Sequence, residues 1–409
     1  MRYLLKNGRF LDPNQPDLID GIELLTDGAR VAEVSDKPIK APGATVIDLG
    51  GRTLMPGLID CHIHVYLSHI DFGKLASWPR TRMAIEAQHL MRAMLDRGFT
   101  TVRDMGGADF GIRDAVEEGR AVGPRLFIAG MALSPTGGHG DWRRRTDHGS
   151  VCFCNTGLSL VGRLADGVPA VLEAARDELR KGADHIKIMA SGGVASPYDP
   201  LLGLQYTKDE VKVVVEEATN WGKYVGAHAY SAPAIARVVE LGVRTIEHGN
   251  LIDAATAKLM AEKDAFLVPT LSTYDAMKHK GAAIGMSKDM LAKNDEVYFA
   301  GIQALEHARA AGVNVAFGSD LLGELQTHQT NEFRIRSEVF TMQQIIQSAT
   351  TTAAKLLRKE GELGVLAPGA FADLLVVNGN PLKDPEIFQD GGPNLAAIMK
   401  AGQFHRNSL

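Results

Sequence analysis

From Met55 onward, short apolar runs closed by a polar residue alternate with stretches whose apolar positions recur three to four apart. The first pattern is that of a buried strand and the second that of an amphipathic helix. Eight strands are predicted, at residues 57–65, 100–104, 125–129, 185–190, 224–229, 244–248, 265–269 and 314–320. Helices are predicted between them, among them Arg82 to Arg97, Val168 to Lys181, Lys208 to Trp221 and Ala232 to Leu241, and a closing helix runs from Thr341 to Leu357. Eight strand-then-helix units make an α/β fold, the (β/α)8 TIM barrel, for which about 250 residues is typical. Residues 56–358 are assigned to it.

Both ends follow another pattern. Residues 1–55 hold short β-like runs at Tyr3-Leu4-Leu5, 21–25, 31–34 and 45–48, with hairpin-type turns at Asn7-Gly8 and Asp27-Gly28. After the closing helix, 364–369, 372–377 and 396–402 again look like strands. The two ends, 1–55 and 359–409, are therefore expected to meet in one small β-sandwich beside the barrel.

Composition narrows the function classes. The 409 residues are 45% apolar and 23% charged, ordinary for a globular protein. A formal net charge of -5 argues against a nucleic-acid footprint, which would be basic. The one short basic run is Arg143-Arg144-Arg145. No segment is long and apolar enough to span a bilayer, and the first residues do not read as a signal peptide, so a cytoplasmic location without a membrane partner is expected. Three cysteines cannot build a disulfide framework; Cys152 and Cys154 read as a free-thiol loop and Cys61 as a small core residue.

The polar residues that close the strands carry the chemistry. His62 and His64 stand two apart in one strand and so share a face, which in a barrel is the interior. Two interior imidazoles need partners, and neutral imidazole is a preferred zinc ligand. The plainer alternative is a pair of hydrogen-bonded surface histidines. His228 and His248 each read singly as packed residues, and Asp320 as a loop residue or helix cap. Together they point to one site, because a parallel barrel builds its active site at the C-terminal edge of its strands. Glu247, just before His248, is expected to point away from the interior. Lys187 sits among apolar residues, where burial is costly for an ammonium; spacing alone favours pairing with a carboxylate.

These residues lie in a recognisable frame: Met55 to His64, Lys187, His228, Glu247-His248-Gly249, Gly318-Ser319-Asp320, and the return segment Leu366 to Val377. The chain resembles the amidohydrolase superfamily over essentially its whole length. Phe99 to Asp104, Thr136-Gly-Gly-His139, Ile186 to Ser196, His228-Ala-Tyr230 and Thr245 to Ile252 make it similar to the Xaa-Pro dipeptidase and carboxypeptidase branch. Ochratoxin-hydrolysing amidases are similar too, and imidazolonepropionases are related. The resemblance implies two divalent metal ions, zinc first among them, held by His62, His64, Lys187, His228, His248 and Asp320. Lys187 would be carboxylated by CO2 and bridge both ions. Asp320 would shuttle the proton as metal-bound hydroxide attacks, and His139 would stabilise the oxyanion. Tyr230 and Arg143 would bind a substrate carboxylate, and Tyr198, Leu201, Leu202 and the Trp142 region would line the pocket. The expected substrate is a small amide, a dipeptide or an N-acyl amino acid, and the expected assembly is a homo-oligomer.

Two other readings compete. A cyclic amidase or imidazolonepropionase-like hydrolase would open a ring, but imidazolonepropionases keep one metal and lack the lysine. A non-catalytic assembly protein would have lost ligands, whereas here every ligand position is filled.

Overall fold

The computed structural model describes residues 1–143, 145–146, 161–196, 198–389 and 391–409. Arg144, Cys152 and Cys154 lie outside the described residues. All eight predicted barrel strands form: β1 Leu58–Ile63, β2 Phe99–Asp104, β3 Arg125–Ile128, β4 Ile186–Met189, β5 Val225–Ser231, β6 Thr245–Leu251, β7 Phe266–Val268 and β8 Asn314–Val315. They pair in parallel as a three-stranded sheet, β3-β2-β1, and a seven-stranded sheet. The larger sheet runs Gly162–Leu164, Ala132–Ser134, β4, β5, β6, β7, β8. The barrel closes where Cys61 N donates to Phe317 O at 2.8 Å, beyond the short ladder of β8. Helices cover the outside, so strands such as β1 and β4 are buried at every position, which is why they are mostly apolar and why Asp60, His62 and Lys187 stand out in them.

Two short strands, Ala132–Ser134 and Gly162–Leu164, carry no period of their own and are legible only from their pairing. The closing helix is interrupted: Met342–Ser348 and Thr351–Leu356 flank Thr350, whose φ of -138° and ψ of -95° are not helical. The break frees Ala349 O to accept Ile59 N of β1 at 2.8 Å.

Both termini contribute to the second layer. A four-stranded sheet, ordered Arg30–Ser35, Glu23–Asp27, Arg2–Lys6, Thr45–Asp48, faces a six-stranded one. The latter runs Gln403–Asn407, Leu395–Lys400, Leu374–Val377, Thr53–Pro56, Arg9–Phe10, Ile19–Asp20. Leu5, Leu24, Val31, Leu54, Leu374, Val376 and Met399 fill the space between them. Asp27-Gly28 is a hairpin turn as expected. Asn7-Gly8 instead carries the chain from one sheet to the other, and residues 364–369 form turns. Among the described residues no helix is long and apolar enough to cross a membrane.

Candidate metal and active site

At the C-terminal edge of the barrel the strand ends converge. His62 Nε2 lies 3.4 Å and His64 Nε2 3.3 Å from Asp320 Oδ1, and His248 Nδ1 lies 3.9 Å from Asp320 Oδ2. Donor atoms of His62, His248 and Asp320 all fall within 4.8 Å of one another. The His228 ring centroid is 4.6 Å from that of His248, which is 5.0 Å from His62. Lys187, on β4, lines the same cavity and is 2% exposed. Thus the six residues singled out from the sequence surround one small space.

Which nitrogen of each ring is offered follows from what holds the other. His62 Nδ1 is 2.9 Å from Glu247 Oε2, His64 Nδ1 is 2.7 Å from Gly106 O, and His228 Nε2 is 3.0 Å from Gly192 O. Carboxylates and carbonyls only accept, so each of these nitrogens carries the proton. The lone pairs therefore sit on His62 Nε2, His64 Nε2 and His228 Nδ1. This is the arrangement in which outer partners orient metal-ligating histidines. His248 Nδ1 meets the Thr270 hydroxyl at 2.8 Å. The donor set, neutral imidazoles beside one carboxylate, fits a divalent ion such as zinc.

Burial acts on the charges in the same sense. It holds His62 and His228 well below the usual histidine range and lowers His248 to about 3. Only His64 is pushed up, the Asp320 carboxylate outweighing its burial. Burial would raise Asp320, but His62, His64 and His248 hold it well below the usual carboxylate range. Burial also lowers Lys187 to about 8, and its Nζ makes no hydrogen bond among the described residues. The carboxylate partner expected for it is thus not in direct contact.

Glu247 does not point away from the interior. It is fully buried and receives Arg103 Nη2 at 2.8 Å on Oε1 and 2.9 Å on Oε2, besides His62. The alternation of strand faces fails because His248 has a φ of 76°, in the left-handed region, so consecutive residues both face inward. Thr270 and Asp320, at the ends of β7 and β8, each share this conformation with a φ of 50°. Asp320 is anchored by its N–H to His62 O at 2.8 Å, and Asp60 ties β1 to the same turn through Ser319 Oγ at 2.6 Å.

His139 arrives on the Gly137-Gly138-His139-Gly140 loop. Its ring stacks on His228 with centroids 4.1 Å apart at 19°, and its Nδ1 is 2.7 Å from Ser196 Oγ. Burial lowers it to about 4, against the pull of Asp199. Tyr230 stacks on His248 at 5.2 Å, and its hydroxyl meets that of Tyr274 at 2.8 Å. Arg143 is placed otherwise than expected. Its Nε and Nη2 grip Asp141 at 2.7 and 2.6 Å, so the fork needed for a substrate carboxylate is engaged two residues away. Of the residues expected to line the pocket only Trp142 does, beside Leu67, Phe72, Val161, Met189 and Leu322. Tyr198 and Leu202 are exposed, and Leu201 packs in the core.

Against this geometry stand the known proteins. The Amidohydrolase family matches residues 53–404. The chain belongs to that family. This amidohydrolase is similar to a prolidase solved with N-methylphosphonate-L-proline, 48% identical over the full length of both chains with a TM-score of 0.97. It is similar to a Xaa-Pro dipeptidase with methionine in its active site, 29% identical over the full length of both with a TM-score of 0.89. It is also 32% identical to ochratoxinase of Aspergillus niger, over 88% of this chain and 78% of that one. It is a hydrolase of amide or peptide C–N bonds acting on a small molecule, in a family that is generally metal-dependent.

Proposed function

We propose that this amidohydrolase cleaves the amide bond of dipeptides or N-acyl amino acids whose leaving group is an amino acid with a free α-carboxylate. The observation that carries the reading is the preset tautomers. Outer acceptors leave His62, His64 and His228 with inward lone pairs around one carboxylate. Such a set suits two divalent ions, zinc in the first place, with His62, His64 and Asp320 at one and His228 and His248 at the other. Lys187 would help hold both as a carbamate: an ammonium there would repel cations, whereas a carbamate would supply anionic oxygens. When bound, the ions supply Lewis acidity to the carbonyl and to the attacking water.

The protein's own groups do the rest. Asp320 takes the proton of the attacking water and delivers it to the departing nitrogen. His139 donates from Nε2 to the carbonyl oxygen as negative charge develops. That role needs a proton on Nε2, so the Ser196 hydroxyl must turn its one proton to Nδ1, 2.7 Å away, rather than to Gly193 O at 3.2 Å. Tyr230 offers its hydroxyl to the substrate carboxylate, a bond for which Tyr274 is the present stand-in. The apolar wall of Leu67, Phe72, Trp142 and Met189 suits an apolar side chain or acyl chain on the carbonyl half. The similarity to a prolidase and to ochratoxinase supports both halves of this substrate class.

A panel of N-acyl amino acids and dipeptides varied at the C-terminal residue tests the reading. Turnover is expected to fall sharply when the C-terminal carboxylate is converted to an amide. Equal kcat/KM for acid and amide, or a preference for cyclic imides, would overturn it.

A further inference from the structure

His139 sits in a glycine-rich loop that cannot orient a ring by itself. Its contacts come from elsewhere, and most come from the segment that follows β4. Ser196 Oγ meets Nδ1 at 2.7 Å, and Gln205 Oε1 accepts the His139 N–H at 3.0 Å. Gly193 lies so close beneath the ring that a Cβ there would overlap it. The segment is in turn cross-tied by Asp199, whose buried Oδ2 accepts Gly193 N at 2.9 Å and Gln205 Nε2 at 3.3 Å.

Two cations hold this segment from outside: Arg237 Nη2 donates to Gln205 O at 2.6 Å at its far end, and Lys293 reaches its middle. Lys293 Nζ donates to Ser196 O at 3.1 Å and to Asp199 O at 3.0 Å, and it lies 3.3 Å from Asp289. Its side chain is 14% exposed. It belongs to the helix Lys288–Ala311, which leads into β8, so it bridges two separate strand-helix units. Two N–H groups are engaged on main-chain oxygens of the segment that grips His139, and Asp289 balances the charge. Ordering a long lysine side chain is entropically costly, and here the order is spent on the one loop that aims the ring.

We infer that Lys293 is a positioning residue for His139, acting through the backbone at Ser196 and Asp199. The inference rests on the role given to His139 above. A displacement of about 1 Å in an aligned group costs up to roughly 10²-fold in rate. Lys293→Met, similar in length but without donors, is therefore expected to lower kcat by roughly tenfold or more, with KM little changed. Lys293→Arg, which can reach the same carbonyls, should recover most of the loss.

A double-mutant cycle with His139→Ala on the best N-acyl amino acid, together with hydrogen exchange across residues 191–205, decides the matter. If Lys293 works through His139, Lys293→Met adds nothing in the His139→Ala background, and it speeds exchange in that segment. Losses that simply multiply, or unchanged exchange, would overturn the inference and leave Lys293 as an ordinary structural contact. Failure of the underlying reading looks different: His139→Ala alone would then leave kcat intact. Should Lys293→Met not fold, Lys293→Gln replaces it in the same cycle with the same expectations.

Discussion

Glu247→Gln tests the site from below, without touching a proposed ligand. The carboxylate accepts four hydrogen bonds in a fully buried setting: two from Arg103 Nη2, one from Thr245 Oγ1 at 2.6 Å and one from His62 Nδ1 at 2.9 Å. A glutamine keeps the shape but has one accepting oxygen and one donating nitrogen. If the oxygen stays with Arg103, the amide nitrogen must face His62 Nδ1, which then has to accept. The imidazole proton moves to Nε2, the nitrogen aimed at Asp320, and the inward lone pair is lost. Changes to such outer partners typically cost about 10–100-fold in metal affinity. Arg103 is also left as a buried cation without its counter-charge, a loss of about 3–5 kcal/mol in folding stability.

Competition against a chromophoric zinc chelator reads the first effect, and urea unfolding of the metal-free protein reads the second. Thr245→Val is the internal control. It removes a hydrogen bond to Glu247 and leaves the His62 contact alone, so stability should fall by about 1–3 kcal/mol while zinc affinity holds. Wild-type zinc affinity in Glu247→Gln, at full folding, would refute the argument that Glu247 sets the His62 tautomer.

Lys187→Ala should abolish turnover, and short carboxylic acids such as acetate or propionate should restore part of it by supplying bridging oxygens; no rescue at any concentration would count against the carbamate. Gly193→Ala places a methyl group into the His139 ring, so kcat is expected to drop by up to about 10²-fold at near-normal zinc content; unchanged kinetics would show that the ring position does not matter. Lys400, far from this site, donates to Gly123 O at 2.7 Å, and burial lowers it from 10.5 to about 8. The unfolded chain therefore holds more protons between those values, and stability rises as pH climbs through that window. Lys400→Met should flatten the rise and add roughly 3 kcal/mol at most below pH 8; melting curves from pH 7 to 10 that match wild type would exclude it.

What the sequence discloses and what it conceals follow from the same geometry. The eight strands are legible because a strand covered on both faces is mostly apolar, so a histidine, lysine or aspartate in it or at its end stands out. His62 and His64, two apart, do face one site, although His64 lies one residue beyond β1 and the ladder to β2 shifts register between Asp60 and Ile63. For Arg143 the sequence shows a fork but not its partner: Nε and Nη2 are engaged with Asp141, two residues before it. The helix Lys288–Ala311 is not read from the pattern because its buried positions include Asn294 and Gly301, while Phe299 is 70% exposed.

Glu247 is concealed for a deeper reason. The site holds two consecutive residues, a carboxylate for Arg103 and His62 and an imidazole for the proposed metal, facing the same interior. A regular strand cannot do this, since its neighbours alternate. The fold resolves the conflict by putting His248 at a φ of 76°, and Thr270 and Asp320 follow suit at neighbouring strand ends. Each such residue costs about 1–3 kcal/mol, a strain that persists only because the ladders and anchors around it over-determine the backbone. No pattern of apolar and polar letters records a left-handed histidine, so the rule that makes β1 readable is the one that hides β6. Where sequence periodicity fails in this barrel is therefore where the aim of the chemistry has overridden the preference of the strand.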